Sequence, residues 1–521
     1  MTLGVRGFFL LFLLLSFFAG CTPGDVGPRE TLIYGRAADS IHLDPALIND
    51  TESTRVSEQI FEGLVRYKEE TTEVEPALAV SWETRDNGLT WVFHLRKGVL
   101  FHDGTPFDSE SVRVSFERQL KKGHPLAPEQ RSPYADFALG MISEIETPDH
   151  DTILFRLKYP YAPFLFNLAM ASSSPIVSPE GLKKYGRSFS EHPVGTGPFV
   201  LESWKKNDEI VLRRNGSYWD EKPKIKRLVF KVIPSKEDRV RYLLTAKADL
   251  IDGIPPEEIE PLKQSPQIRL VAEPGMSLNY LGFRCNRKPF NRKDVRIAVH
   301  SAIDSKALVA SLYGGGALPA NSPLPPKFFG YNGDLPYVTY SPEKARLLLK
   351  KAGYPHGFHT EIWCYDNPRP YNLVGKRLAE EISRYLSKVG IRTRIIENNW
   401  NDYLKAVNEG KGDLFLLGWI GDNGDPDNFL YILFNSSQIK TSQNLFYFSN
   451  PAVDGVLQKA RETANLRERS RLYYEAQNLL YKERPCAFLS YGMDLLAHRT
   501  DLFGVRLNPA GRLRLQRVSK M

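Results

Sequence analysis

Apolar and polar residues alternate along several short segments of this chain, and longer segments repeat with a helical period. Leu89, Trp91, Phe93 and Leu95 alternate with more polar neighbours, which predicts a half-buried strand. Asp108 follows a turn and precedes apolar positions on one helical face, so we expect it to be an N-cap. Strand, turn and helix therefore lie within one α/β unit.

In the second half of the chain, predicted helices and strands alternate more regularly. Asp294, Asp304 and Ser341 precede helical segments and are predicted N-caps. The Pro-rich segment 317–330 predicts a surface loop. A strand over 414–419 completes an α/β domain.

An acidic turn ends this last strand, with the sequence Gly418-Trp419-Ile420-Gly421-Asp422-Asn423-Gly424-Asp425-Pro426-Asp427-Asn428. Ligands of open α/β sheets bind beyond the carboxyl ends of strands, and a carboxylate beside an indole can pair there with an ammonium group. Asp422 is the candidate for this role, and Trp419 is the candidate cleft wall. A tight surface turn is the alternative. A calcium loop is disfavoured, because the twelfth position from Asp422 is Leu433 instead of Glu.

The acidic turn and the upstream segment Asn367-Pro368-Arg369-Pro370-Tyr371-Asn372 together resemble the solute-binding proteins of bacterial peptide ABC transporters, that is, extracellular solute-binding protein family 5. The resemblance is greatest to the dipeptide-binding members. Segments 77–112 and 193–199 also match that family. It implies that Asp422, in the turn with Gly421, binds a peptide's α-ammonium group and that Arg369 binds its α-carboxylate. Tyr371 either contacts the ligand or fills the core.

The pair of anchors suits a short zwitterion. Pro368 and Pro370 restrict the backbone around Arg369, whose guanidinium offers planar, paired donors to a carboxylate. One fixed anion and one fixed cation at a set separation favour dipeptides over longer peptides.

The resemblance also implies the fold, an α/β, three-lobed, type II-like periplasmic binding protein with mixed sheets. Lobe I is expected to be discontinuous, over 31–50, 198–275 and 494–521. Lobe II is expected over 51–197, and lobe III, with both anchors, over 276–493. Chain crossings near Gly275 and Met493 are expected to form a two-segment hinge.

The first residues predict export. Arg6 precedes an apolar run over 8–18 that is too short to span a bilayer comfortably, which is typical of a signal peptide over 1–20. The ending Phe18-Ala19-Gly20-Cys21 resembles a lipobox, so we expect lipidation of Cys21 and a tether over 21–30. A plain signal peptide is the alternative. The predicted location is the periplasmic side of a bacterial membrane, held by the lipid.

Composition excludes several function classes. The chain has 521 residues, 25% of them charged, and a net charge of +8 that is not gathered into a basic stripe, so nucleic-acid binding is not indicated. Cys285, Cys364 and Cys486 lack zinc spacing and allow at most one disulfide. His356 and His359 are interpreted as a surface turn, and no metal or cofactor is expected. No catalytic motif is present, so an enzyme is not expected.

The partners follow from the resemblance. Short peptides are the expected ligands, the permease of an ABC transporter is the direct partner, and the ATPase is reached only through the permease. Longer oligopeptides, glutathione, haem and nickel complexes remain open as ligands of the same fold. A lipid-anchored adhesin or sensor is the alternative from a different class.

Overall fold

The computed structural model of this protein describes residues 27–521. The predicted signal peptide and the predicted lipidation site Cys21 lie outside the described residues. Of the predicted tether, residues 27–30 are described, and Pro28–Glu30 form a 3-10 turn directly before the first strand.

The described chain contains strands, α-helices and short 3-10 turns. Its strands are β1 (Thr31–Arg36), β2 (Val65–Tyr67), β3 (Val74–Pro76), β4 (Ala79–Arg85), β5 (Thr90–Leu95), β6 (Ile142–Asp149), β7 (Thr152–Leu157), β8 (Phe199–Lys205), β9 (Glu209–Arg214), β10 (Arg227–Val232), β11 (Leu250–Asp252), β12 (Ile268–Pro274), β13 (Ser277–Phe283), β14 (Ala317–Pro319), β15 (His359–Tyr365), β16 (Arg392–Asn398), β17 (Leu414–Ile420), β18 (Cys486–Arg499), β19 (Leu502–Phe503) and β20 (Ser519–Lys520). Its helices are α1 (Thr51–Ile60), α2 (Ser109–Leu120), α3 (Ala135–Leu139), α4 (Phe164–Asn167), α5 (Pro179–Tyr185), α6 (Lys236–Leu244), α7 (Pro256–Gln264), α8 (Lys293–Ser301), α9 (Ser305–Tyr313), α10 (Pro342–Lys351), α11 (Gly375–Ser387), α12 (Trp400–Asn408), α13 (Asp427–Phe434), α14 (Pro451–Glu462) and α15 (Leu466–Glu483).

One large mixed sheet organises the fold. It has 12 strands, ten of them in the order β16-β15-β17-β13-β18-β11-β1-β10-β9-β8, while β12 and β14 pair with β18. Strand β1 runs parallel to β10 and β11, whereas β13 and β17 are antiparallel. Parallel and antiparallel pairs in one sheet, with helices packed on it, confirm the predicted α/β class with mixed sheets.

Strand β18 belongs to both halves of this sheet. Its first residues pair with β13, and residues from Met493 onward pair with β12. Gly275 lies where β12 passes into β13, and its N–H donates to the carbonyl of Gly492 at 3.0 Å. A Cβ atom on Gly275 would lie 2.7 Å from a carboxylate oxygen of Asp494, so a larger residue at this crossing would have to displace the Asp494 side chain. The chain thus passes between the halves twice at one place; that these crossings act as a hinge, and where the lobes end, stay predictions.

A second sheet, of four strands in the order β4-β5-β7-β6, lies within residues 79–157. Helix α2 packs near it. Its N-cap is Asp108, as predicted, and the Asp108 side chain accepts from Ser111 N in a capping box. The predicted strand is β5, but the expectation that it is half-buried is wrong. Val92 is 1% exposed, since it lies opposite Glu83 and Leu154 of the two neighbouring strands.

The helix starts predicted in the second half of the chain match the structure at two of three positions. Asp304 accepts from Ala307 N, and Ser341 accepts from Lys344 N. Asp294 is not an N-cap, because α8 already begins at Lys293 and Asp294 occupies its first turn. Acidic residues are favourable both at the N-cap and in the first turn, because both positions lie near the positive end of the helix dipole. The sequence therefore did not distinguish an N-cap from a first-turn residue.

The segment 317–330 is not the surface loop that its prolines suggested. Leu324 is fully buried, and Phe328 is 4% exposed. Asn321 donates to the carbonyl of Leu335 at 2.7 Å. Because β14 is hydrogen-bonded to β18, this segment is held against the sheet and covered.

Candidate ligand-binding site

The acidic turn is held in place by one asparagine. Asn428 Oδ1 accepts from Trp419 Nε1 at 3.0 Å and from the backbone N–H of Asp422 at 3.1 Å. The N–H of Gly421 donates to the carbonyl of Met276 at 2.8 Å. A Cβ atom on Gly421 would lie 2.7 Å from the Phe429 ring, so the chain passes close to that ring. The Trp419 indole and the backbone of Asp422 are therefore held in a fixed orientation at the end of β17.

Asp422 is the solvent-exposed acid of this turn. Its carboxylate accepts from Asn428 Nδ2 at 3.3 Å. Burial among the surrounding protein groups raises its pKa, and hydrogen bonds from Asn428 and Tyr134 oppose that shift. Within the described residues no lysine or arginine forms an ion pair with it. The site thus holds a water-accessible, partly desolvated carboxylate without a cation.

The other acids of the turn are structural, so the surface-turn alternative does not hold for them. Asp425 is fully buried and pairs with buried Arg469, with Nη2 and Oδ1 2.7 Å apart. Asp427 is also buried and lies 3.7 Å from the Nε atom of Arg461. Burial raises the pKa of Asp427 to about 6, although Arg461 opposes the shift.

The acidic turn also contacts the region 51–197. Gly424 N donates to the hydroxyl of Tyr67 at 3.0 Å, and the hydroxyl of Thr72 donates to Gly424 O at 2.8 Å. Asn423 donates to the side chain of Asn167 at 2.5 Å. These contacts bring Asp422 to the boundary between two regions of the chain, as a ligand anchor in a cleft requires.

The second predicted anchor lies on a closed loop after β15. Arg369 and Asn372 exchange two backbone hydrogen bonds of 2.9 Å. The guanidinium carbon of Arg369 lies 3.5 Å from the centre of the Trp400 ring. Its Nε atom is buried without a hydrogen-bond partner, and no carboxylate in the part of the chain that the structure describes pairs with it.

Tyr371 joins the two predicted segments. Its ring lies directly on Gly418, where a Cβ atom would come within 2.3 Å of the ring. Tyr371 is 8% exposed, and its hydroxyl is hydrogen-bonded to that of Tyr365. Burial raises its pKa to about 12. The structure therefore places Arg369 and Tyr371 beside the strand that carries Trp419, Gly421 and Asp422.

Sequence reasoning missed four residues that shape this site. Asn428 orients the acidic turn, Tyr134 reaches Asp422, Trp400 stacks on Arg369, and Asn372 closes the arginine loop. Asn428 and Asn372 are the last residues of the two motifs, but the sequence supplied no reason to assign either of them a role. Trp400 and Tyr134 are distant in sequence, so no local pattern indicated them.

A cavity of about 130 Å³ lies elsewhere, between residues 58–77 and the C-terminal segment 504–516. Its charged lining groups are already paired. Arg512 lies 3.3 Å from Glu58, and Glu62 accepts from Tyr218 and Trp219 at 2.8 Å each. We therefore place the candidate site at Asp422 and Arg369 and not in this cavity.

Three further observations concern residues 27–521 alone. No helix there has the length and apolar character that a membrane span requires. No cluster of three or more His, Cys, Asp or Glu side chains is arranged to hold a metal ion. The cysteines there, Cys285, Cys364 and Cys486, are free thiols.

Comparison with known proteins gives long and consistent matches. The chain is 36% identical over 473 residues to heme-binding protein A of Haemophilus influenzae, covering 88% of this chain and 86% of that protein. It is 33% identical over 506 residues to the dipeptide-binding protein of Escherichia coli, covering 94% of each.

Solved structures give the same fold. HbpA2 from Haemophilus parasuis superposes with a TM-score of 0.90 at 31% identity, over 94% of this chain and 100% of that one. The dipeptide-binding protein of Pseudoalteromonas sp. SM9913 in complex with Met-Leu superposes with a TM-score of 0.71 at 28% identity, over 94% and 100%. Residues 73–441 match the family described as "Bacterial extracellular solute-binding proteins, family 5 Middle". The chain therefore belongs to the family 5 bacterial extracellular solute-binding proteins, and it has their type II periplasmic binding protein fold.

Proposed function

We propose that this protein captures short peptides, dipeptides above all, outside the cytoplasm and delivers them to the permease of an ABC transporter. One observation carries the proposal. Among residues 27–521, no cation pairs with the Asp422 carboxylate and no carboxylate pairs with the Arg369 guanidinium, and Tyr371 joins the two segments that carry them.

A zwitterionic peptide supplies what each anchor lacks. Its ammonium group can pair with Asp422, and its carboxylate can accept paired N–H donors from Arg369. Charges that are removed from water must be paired, so closing the site around a peptide satisfies both anchors at once. Relatives named as dipeptide-binding or di/tripeptide-binding proteins support this ligand class.

Capture requires that the site close, and the sheet offers a place for that movement. The crossings at Gly275 and Met493, where β18 pairs with β12, are the proposed hinge between the proposed lobes I and III. A family of solute carriers needs no chemical step, so the protein binds and releases its ligand without catalysis. The permease is proposed to meet the closed protein, and the ATPase acts through the permease.

We place the protein on the periplasmic side of a bacterial membrane, held by a lipid on Cys21. The support is the sequence Phe18-Ala19-Gly20-Cys21 after an apolar run. Cys21→Ser should move the protein from the membrane fraction to the aqueous fraction. If wild-type protein carries no lipid by mass spectrometry, the anchor is refuted while the ligand proposal stands.

Calorimetric titration of the purified protein tests the ligand. The peptides are Ala-Phe, its N-acetylated form, its C-amidated form and a tetrapeptide. Tight binding of free Ala-Phe alone supports the two-anchor site. Equal binding of the tetrapeptide moves the assignment to oligopeptides, and absence of binding throughout refutes the peptide proposal.

Haem is a second candidate ligand, because a 36% identical relative is named heme-binding protein A. Glutathione is a related candidate, since relatives at 32% identity are named glutathione-binding proteins. Spectroscopic titration with hemin measures whether the protein binds haem. Competition between hemin and Ala-Phe shows whether the two ligands use the same cleft.

A further inference from the structure

Arg369 is a cation whose partner among the described residues is an aromatic ring. Its guanidinium carbon lies 3.5 Å from the centre of the Trp400 ring, and its buried Nε atom has no hydrogen-bond partner. Buried N–H groups of arginine are normally satisfied. No carboxylate among the described residues pairs with this guanidinium either, so its donors are open to an acceptor that comes from outside the chain.

The separation of 3.5 Å fixes how the two groups face each other. It is the contact distance of two flat groups, so a guanidinium tilted steeply against the Trp400 ring would collide with it. All N–H donors of a guanidinium lie in its plane. When one face is covered by the indole, those donors stay free at the edge, where a planar carboxylate can accept two of them.

Trp400 is itself held before any ligand binds. It is the first residue of α12, and the N-cap Asn399 accepts from Asp402 N at 3.1 Å. Its ring stands edge-on to Tyr365 at 5.2 Å and nearly parallel to Tyr403 at 6.0 Å. Both tyrosines are buried, so their rings define the plane of the indole.

The backbone of Arg369 is held from the other side. Its two hydrogen bonds with Asn372 close the loop, and Pro368 and Pro370 restrict the neighbouring dihedral angles. Asn372 in turn accepts from the hydroxyl of Tyr313 at 3.0 Å, inside the protein. Only the side-chain torsions of Arg369 remain, and the Trp400 face selects among them.

We propose that Trp400 is a positioning residue, which holds the Arg369 guanidinium flat for two-point binding of a carboxylate and so makes the protein select ligands with a free carboxylate end. The inference rests on the proposed function, because it assigns how one anchor of that site is oriented. Trp400 lies 31 positions after Arg369 in the sequence and acts through Arg369, without needing to contact the ligand.

The test compares Trp400→Leu, Trp400→Phe and the control Trp82→Leu. Trp82 is also half-buried and packs on an aromatic ring, 6.2 Å from Phe93, but it belongs to the second sheet. Calorimetry measures the affinity of each protein for Ala-Phe and for its C-amidated form. Trp400→Leu should weaken binding of Ala-Phe about tenfold and leave that of the amide unchanged, whereas Trp400→Phe should recover most of the preference.

A second measurement does not need a peptide. The ring current of Trp400 should shift the Nε–H resonance of Arg369 upfield in wild-type protein, and Trp400→Leu should abolish that shift. An unshifted wild-type resonance would overturn the proposal.

The outcomes separate this inference from the proposed function. If wild-type protein prefers the free peptide and Trp400→Leu keeps that preference, the positioning role is wrong and peptide binding stands. If Trp82→Leu lowers the preference equally, the effect is a general loss of stability and the positioning role is again wrong. If wild-type protein binds no peptide, both the proposed peptide capture and the positioning role of Trp400 are refuted.

Discussion

Replacing Asp422 with asparagine tests the ammonium anchor with little change in shape. The carboxylate is partly desolvated and lacks a cation among the described residues, and Asn428 and Tyr134 donate to it. Truncating one partner of a desolvated charge pair typically costs about 2–5 kcal/mol in binding. We expect about 3 kcal/mol, toward the lower part of this range, because water still reaches Asp422 in the unliganded protein. This corresponds to a roughly 150-fold higher Kd for Ala-Phe.

The assay is calorimetric titration at several pH values. Burial raises the pKa of Asp422, so its charge is lost at a higher pH than that of an ordinary aspartate. Since the charged form binds the ammonium group, affinity should fall as the pH is lowered through that raised pKa. Asp422→Asn should remove this part of the pH dependence, because the amide does not titrate.

The control is Asp334→Asn, which makes the same charge change at an exposed position far along the chain from either anchor. It should bind like the wild type, and both variants should keep the wild-type melting temperature. Wild-type affinity in Asp422→Asn, or an equal loss for N-acetylated Ala-Phe, would refute the ammonium assignment.

Three further predictions concern the other anchor, the joint between the segments and the buried acids. Arg369→Ala should abolish the preference for Ala-Phe over its C-amidated form, measured by calorimetry, and a wild-type protein that already tolerates the amide would contradict the carboxylate anchor. Gly418→Ala should displace the Tyr371 ring, because a Cβ atom there would lie 2.3 Å from it, and should cost about 1–3 kcal/mol in denaturant unfolding; unchanged stability would contradict the close contact. The raised pKa of Asp427, about 6, means that its contribution to stability is present at low pH and is lost as pH rises through 6. The thermal stability of the wild type should therefore fall relative to that of Asp427→Asn as the pH rises from about 4 to about 6, and an opposite slope would contradict this sign.

Local sequence patterns located much of the secondary structure for direct physical reasons. Asp108, Asp304 and Ser341 each accept a backbone N–H three residues later, which is why these residue types mark helix starts. The prediction for Asp294 was wrong because acids are also favourable within the first turn of a helix. The family, and with it the three-lobed fold, came from motif resemblance; periodicity alone indicated only an α/β chain.

The sequence also singled out two anchor residues, but their surroundings depend on tertiary contacts. Asp422 and Asp425 look alike in the acidic turn, yet one reaches the solvent and the other forms a buried pair with Arg469. That difference depends on a helix that begins more than 40 positions later, which no local pattern reveals. In the same way, the burial of segment 317–330 follows from its pairing with β18 and not from its composition.

The sequence by itself thus determined the kinds of charge that the site offers, because carboxylate and guanidinium chemistry belongs to the residue types. Only the tertiary structure decided which of those charges remain without a partner. Tyr371 packs on Gly418 and Trp400 stacks on Arg369, so segments distant along the chain meet at one place. The physical reason is that a charge becomes a ligand anchor through what surrounds it, and its surroundings come from packing between distant segments.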